Sequence, residues 1–156
     1  MEREVLTYEN FGNGIRELAQ KIVDSDFVPD ALLSIARGGL IVGGALGYAL
    51  GVKNSFAINV EFYTGEDKRL PVPVVLPPLP KEEDLAGLRI LVVDDVADTG
   101  ETLKTVFEFL KPIVREVRSA VLYEKPRTVI KPDYSWKATE LWINFPWSTQ
   151  EPVRKS

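Results

Sequence analysis

Neither cysteine nor histidine occurs anywhere in the chain. The first absence removes disulfides, thiolate nucleophiles and cysteine-bound zinc. The second removes the commonest general base and the commonest transition-metal ligand. Proton transfer and metal binding must therefore fall to carboxylates and lysines. Long apolar runs are lacking as well: the longest, Leu40 to Leu50, is interrupted by Gly43, Gly44 and Gly47 and falls well short of the roughly 20 residues of a membrane-spanning helix. No membrane association is expected. Positive charge is not in excess either. A net charge of −4 argues against a general nucleic-acid binder, which needs a basic face to displace counterions from phosphates. The start, Met1-Glu2-Arg3-Glu4, has neither the basic nor the apolar stretch of a secretory leader, so a cytoplasmic protein is expected.

What is present suits one folded domain over residues 1–156, because 45% hydrophobic and 27% charged residues are the proportions of an ordinary globular chain. Ile15, Leu18, Ala19, Ile22 and Val23 recur with helical period, which predicts a helix over about residues 9 to 24. Ala31 to Ile35 reads as a short buried strand, and Leu40 to Leu50 as a buried helix rich in small residues. Phe56 to Phe62 alternates apolar and polar residues, while Leu88 to Val93 is a continuous apolar run of the kind buried on both faces of a parallel sheet. Leu103, Val106, Phe107 and Leu110 mark a further amphipathic helix ended by Pro112, and Val117 to Tyr123 supplies another strand. Alternating strands and helices imply an open, mostly parallel α/β sheet flanked by helices, with ligands at the carboxyl ends of the strands. The segment from Tyr63 to Gly87 carries Pro71, Pro73, Pro77, Pro78 and Pro80. It reads as a lid or as a proline-stiffened surface loop.

The most informative stretch runs from Ile90 to Thr102, where an apolar strand leads directly into Asp94 and Asp95. Burying both carboxylates would be costly, so they are expected to emerge at the end of the strand. There they can accept hydrogen bonds from vicinal hydroxyls and share Mg²⁺ with a phosphorylated ligand. Ala97 to Thr102 is small or hydroxylated apart from its acids and opens a helix, so backbone amides and the helix dipole converge on a point that suits a phosphate. Thr99 and Thr102 can add hydroxyl donors; taken alone, Asp98 and Thr99 also fit an N-capping turn. Earlier, Arg37, Gly38 and Gly39 follow the first core strand. A guanidinium beside two glycines can bind pyrophosphate, although Arg-Gly-Gly also occurs in ordinary turns.

The Ile90–Thr102 string, an apolar strand, two acids and an Asp-Thr-Gly loop, resembles the signature of the type I phosphoribosyltransferase family. The resemblance extends to Lys125-Pro126 and to Trp142-Ile143 followed by Pro146-Trp147, which are similar to the purine pocket of xanthine-guanine and hypoxanthine phosphoribosyltransferases. It implies phosphoribosyl pyrophosphate and a purine base as substrates, Mg²⁺ as cofactor, a small C-terminal hood over the base, and a homodimer or homotetramer. It further implies that Asp94 and Asp95 contact the ribose hydroxyls and the metal, and that Asp98, Thr99, Gly100, Glu101 and Thr102, with Ala97 beside them, hold the 5′-phosphate. By the same resemblance Asp98 faces purine N7, and Arg37 and Gly38 meet the pyrophosphate next to a cis peptide near Ala36 and Arg37. Lys125 would donate to the base's O6, Trp142 would stack on the ring, and Ile143 would turn its backbone to the base edge. On residue chemistry alone Lys125 also fits a solvated strand end, and Trp142 and Trp147 fit core filler, the reading preferred for Trp147. An ammonium donor favours a 6-oxopurine, namely guanine, xanthine or hypoxanthine, over adenine. Two alternatives stay open: an enzyme for adenine or another base, and a non-catalytic nucleotide-binding regulator on the same fold.

Overall fold

A computed structural model describes residues 1–63 and 72–155. Its elements in chain order are β1 (Arg3–Val5), α1 (Tyr8–Asp24), β2 (Ala31–Ala36), α2 (Gly38–Leu50), β3 (Ser55–Tyr63), β4 (Val72–Leu76), α3 (Glu82–Leu85), β5 (Arg89–Ala97), α4 (Glu101–Leu110), β6 (Glu116–Glu124), β7 (Tyr134–Ala138) and β8 (Trp142–Asn144). The main sheet has the order β4-β3-β2-β5-β6-β7. Its pairings are parallel except at the β3–β4 edge. β1 and β8, from opposite ends of the chain, form a separate parallel pair.

Local chemistry accounts for the helices and the sheet layers. The Thr7 side chain caps α1 by accepting the Asn10 amide at 3.1 Å, and the buried residues Ile15, Leu18, Ala19 and Ile22 face the sheet. The run Ile90–Val93 is wholly buried because it serves two cores. Leu91 and Val93 pack with α1 and α2 on one face, while Ile90 and Val92 pack with α4 on the other. Each such side chain is worth about 1.5–3 kcal/mol of burial, so this strand is the mechanical centre of the molecule.

Two expectations need correction. Asp94 and Asp95 do not follow the strand but lie within it: β5 continues to Ala97, because its parallel partner β6 extends to Glu124 and the ladder continues through Asp94↔Val121 and Ala97↔Glu124. The Tyr63–Gly87 segment, expected as a lid or a proline-stiffened surface loop, contains the regular elements β4 and α3. Pro73 sits within β4, and a proline in a strand is tolerated at a sheet edge, where its missing N–H costs no ladder bond. Residues 64–71, the middle of the expected lid, fall outside the described residues.

The sheet order sets the position of the site. β2 passes through α2 to β3 on one side, whereas β5 passes through α4 to β6 on the other. The chain after β2 and the chain after β5 therefore diverge from adjacent strands, and the crevice between such strands is where an open α/β sheet binds ligands.

Candidate active site

At the end of β2 the chain turns through Arg37 into α2, and the Ala36–Arg37 peptide is cis, as expected. Arg37 is exposed, while Gly38 lies so close to β5 that a Cβ there would run into the Asp95 carboxylate. The two loops are thus in mutual contact. Asp95, Arg37 and Gly38 border one cleft of about 870 Å³. Gly38→Ala should displace Asp95 and destabilise the protein by about 1–3 kcal/mol. At roughly 2–4 °C per kcal/mol for a chain of this size, the expected loss is a lower thermal midpoint, measurable on the purified variant.

Beyond β5 the backbone bends at Gly100, whose φ of +83° only glycine adopts cheaply, and α4 begins at Glu101. The amides of a first helical turn lack intrahelical partners, and the dipole adds positive potential there. A cleft of about 280 Å³ opens at this point, bordered by Asp94, Asp95, Asp98, Thr99, Gly100 and Thr102. Ala97 also lines it. The Glu101 amide is turned toward the Thr99 hydroxyl at 3.3 Å. The whole loop is braced from behind: the Lys125 amide donates to Ala97 at 2.9 Å and the Val129 amide to Thr99 at 2.8 Å.

The third cleft, about 470 Å³, contains Lys125, Trp142, Ile143 and Asp98. Lys125 Nζ stands 5.7 Å from the Trp142 ring centroid, a cation–π distance. Trp142 is 61% exposed, so its ring face is available to a planar ligand. Ile143 is buried in the core and also lines the cleft. Trp147 stacks on Phe145 at 5.0 Å and meets Phe11 edge-on at 5.3 Å, in keeping with a core role. Asp98 borders both this cleft and the one at the start of α4, and Asp95 borders the latter as well as the Arg37 cleft. The three clefts are therefore neighbours at the end of β5.

A phosphoribosyl transferase domain matches residues 2–153. The chain belongs to the phosphoribosyltransferase family. It is 32% identical to the xanthine-guanine phosphoribosyltransferase of Gluconobacter oxydans over 148 residues, which covers 92% of this chain and 83% of that relative. The purine phosphoribosyltransferase of Pyrococcus horikoshii Ot3 superposes with a TM-score of 0.86 at 39% identity, covering 100% of both chains. A xanthine-guanine-hypoxanthine phosphoribosyltransferase of Helicobacter pylori superposes with a TM-score of 0.78 at 27% identity over 94% of each chain. This phosphoribosyltransferase is accordingly a glycosyltransferase-type enzyme of the type I fold.

Electrostatics single out the acidic pair of the phosphoribosyltransferase. Burial lifts the Asp94 carboxyl well above its ordinary value, and the adjacent Asp95 charge lifts it further. Asp95 is raised too, chiefly by burial, with hydrogen bonding to the Asp94 side chain, the Val96 amide and Trp147 acting against the shift. Two ionised neighbours in this position cost the folded state, and a cation beside them would relieve that cost. Sequence reasoning missed two further residues of the site. Arg127 donates from Nε to Asp98 Oδ1 at 2.7 Å and brings Nη2 to the same oxygen at 2.6 Å. Arg3 borders the Lys125 cleft from the far end of the chain. Neither belongs to a local motif. Among the described residues no helix is long and apolar enough to cross a membrane.

Proposed function

We propose that this phosphoribosyltransferase moves the 5-phosphoribosyl group of phosphoribosyl pyrophosphate to N9 of a 6-oxopurine, releasing pyrophosphate, in purine salvage. The observation that carries the reading is the cleft in which the Lys125 ammonium, the open Trp142 face and the Asp98 carboxylate meet next to the phosphate loop. Residues 98 to 102 bind the 5′-phosphate through backbone amides and the Thr99 and Thr102 hydroxyls, and Asp94 and Asp95 hold the ribose hydroxyls. Arg37 and the Gly38 backbone receive the pyrophosphate. Fixing both reactants converts an encounter into an oriented reaction. As the bond from C1 of the ribose to pyrophosphate breaks, positive charge develops on the sugar, as in glycoside cleavage, and negative charge on the leaving group is met by Arg37. Asp98 manages the purine proton through N7 while N9 attacks. Lys125 donates to O6, which rejects the 6-amino group of adenine, and Trp142 supplies stacking worth roughly 1–3 kcal/mol for any base.

Asp94 and Asp95 fit a magnesium ion. They are adjacent, and burial opposes their ionisation in a way that a cation beside them would relieve. That donor set suits a cation whose other positions come from substrate oxygens and water. When bound, the ion supplies charge neutralisation at the pyrophosphate. Excess chelator is expected to reduce turnover to background, with recovery on adding Mg²⁺; full activity in chelator would contradict this assignment.

The reading is tested by supplying guanine, hypoxanthine, xanthine and adenine separately with phosphoribosyl pyrophosphate and Mg²⁺, and following pyrophosphate and nucleotide. Turnover with a 6-oxopurine is expected. Saturable phosphoribosyl pyrophosphate binding without turnover of any base would instead favour the regulator.

A further inference from the structure

On the 6-oxopurine reading above, the base still has an unread position at C2, and the cleft holds a cation with no assigned task. The β1–β8 register pairs Arg3 with Trp142 and Val5 with Asn144. Strand alternation puts Arg3, Trp142 and Asn144 on one face, and Glu4 and Ile143 on the other. The pair is anchored in the core, since the Leu6 amide donates to the Asn144 carbonyl at 3.0 Å and the Leu6 side chain is buried. From this strand Arg3 Nη1 donates to Asn144 Oδ1 at 3.0 Å, and Arg3 borders the same cleft as Lys125, Trp142 and Asp98.

We propose that Arg3 is the specificity-determining residue for the 2-position of the base and favours a purine that carries an oxygen there. A guanidinium has five N–H donors and no acceptor. One is engaged by Asn144, and the Asp98 carboxylate in the cleft is already engaged by Arg127. With O6 taken by Lys125 and N7 by Asp98, the exocyclic group left for Arg3 is the one at C2. An oxygen accepts from Arg3, whereas an amino group sets N–H against N–H and has to share Asn144 Oδ1 with the Arg3 guanidinium that already donates to it. A bare hydrogen gains nothing. Xanthine is therefore preferred to both guanine and hypoxanthine.

The test measures kcat/KM for xanthine, guanine and hypoxanthine with the wild type, Arg3→Met and Arg3→Lys. Arg3→Met keeps the aliphatic stem, and β1 stays paired through its backbone. The wild type should favour xanthine over hypoxanthine. In Arg3→Met that ratio should fall about ten- to hundredfold, the usual weight of a charge-assisted hydrogen bond, and Arg3→Lys should regain part of it. A ratio unchanged in Arg3→Met, or an equal fall for all three bases, would make Arg3 a clasp for β1 and overturn the proposal. So would a wild type that uses hypoxanthine better than xanthine, although that result leaves the 6-oxopurine reading intact. A wild type inactive on all three bases overturns both.

Discussion

Asp98→Asn is expected to lower turnover by about 10²- to 10⁴-fold, the range of a lost general acid–base group, while KM for phosphoribosyl pyrophosphate changes only severalfold. The reason lies in how Asp98 is held. Both Arg127 nitrogens address the same oxygen, Oδ1, so that among the described residues Oδ2 is the atom left to meet a base on the proposed reading. In the asparagine variant Arg127 still requires an acceptor, so the amide oxygen takes the place of Oδ1 and the NH₂ group takes the place of Oδ2. The base then meets a donor that can neither accept nor carry the N7 proton. The main-chain bonds that brace the phosphate loop, from Lys125 to Ala97 and from Val129 to Thr99, do not involve the altered side chain. Phosphate binding should therefore survive. Steady-state rates with varied phosphoribosyl pyrophosphate at saturating base separate the two parameters, and unchanged turnover would remove Asp98 from the proton path.

Lys125→Met should reduce kcat/KM for hypoxanthine by roughly ten- to hundredfold, the cost of leaving O6 without its charged donor, and should raise the relative use of adenine. Methionine retains an apolar stem beside Trp142, so stacking persists and the loss reports on the hydrogen bond. The Lys125 backbone N–H still donates to Ala97, which keeps the phosphate loop in place. KM for phosphoribosyl pyrophosphate serves as the control. If hypoxanthine and adenine lost activity equally, Lys125 would be supporting the cleft wall and not reading the 6-position.

Much of this architecture was legible because it repeats locally. The 3.6-residue period gives α1 and α4, and the unbroken apolar run gives β5, whose side chains are buried on both faces. The end of β5 was misplaced because two carboxylates look like the end of a strand, yet hydrogen bonding to β6 carries the ladder past them. β1 and β8 have three residues each, too few to show a period, and they pair only because the chain ends meet. β4 was hidden by Pro73, which is tolerated at an edge. β7, Tyr-Ser-Trp-Lys-Ala, alternates too weakly to stand out and owes its place to β6.

The site divides in the same way. Asp94, Asp95, Asp98, Thr99 and Gly100 were visible because a strand, a turn and a helix start fix them within one short string. Arg37 and Gly38 needed the sheet order to bring them against Asp95. Arg127 and Arg3 act across 29 and 141 residues of sequence, respectively, on Asp98 and Asn144. No spacing rule connects such partners. Only the fold brings them in, Arg3 as part of a cleft wall and Arg127 by its contact with Asp98.

The central claim, a site that selects 6-oxopurines, is tested most directly by offering equal hypoxanthine and adenine in one reaction with limiting phosphoribosyl pyrophosphate and Mg²⁺, then measuring the two nucleotides formed. The bases differ at the 6-position and in the ring proton that goes with it. The Lys125 cleft predicts inosine monophosphate in at least about a hundredfold excess. Adenosine monophosphate in equal or greater yield would contradict it.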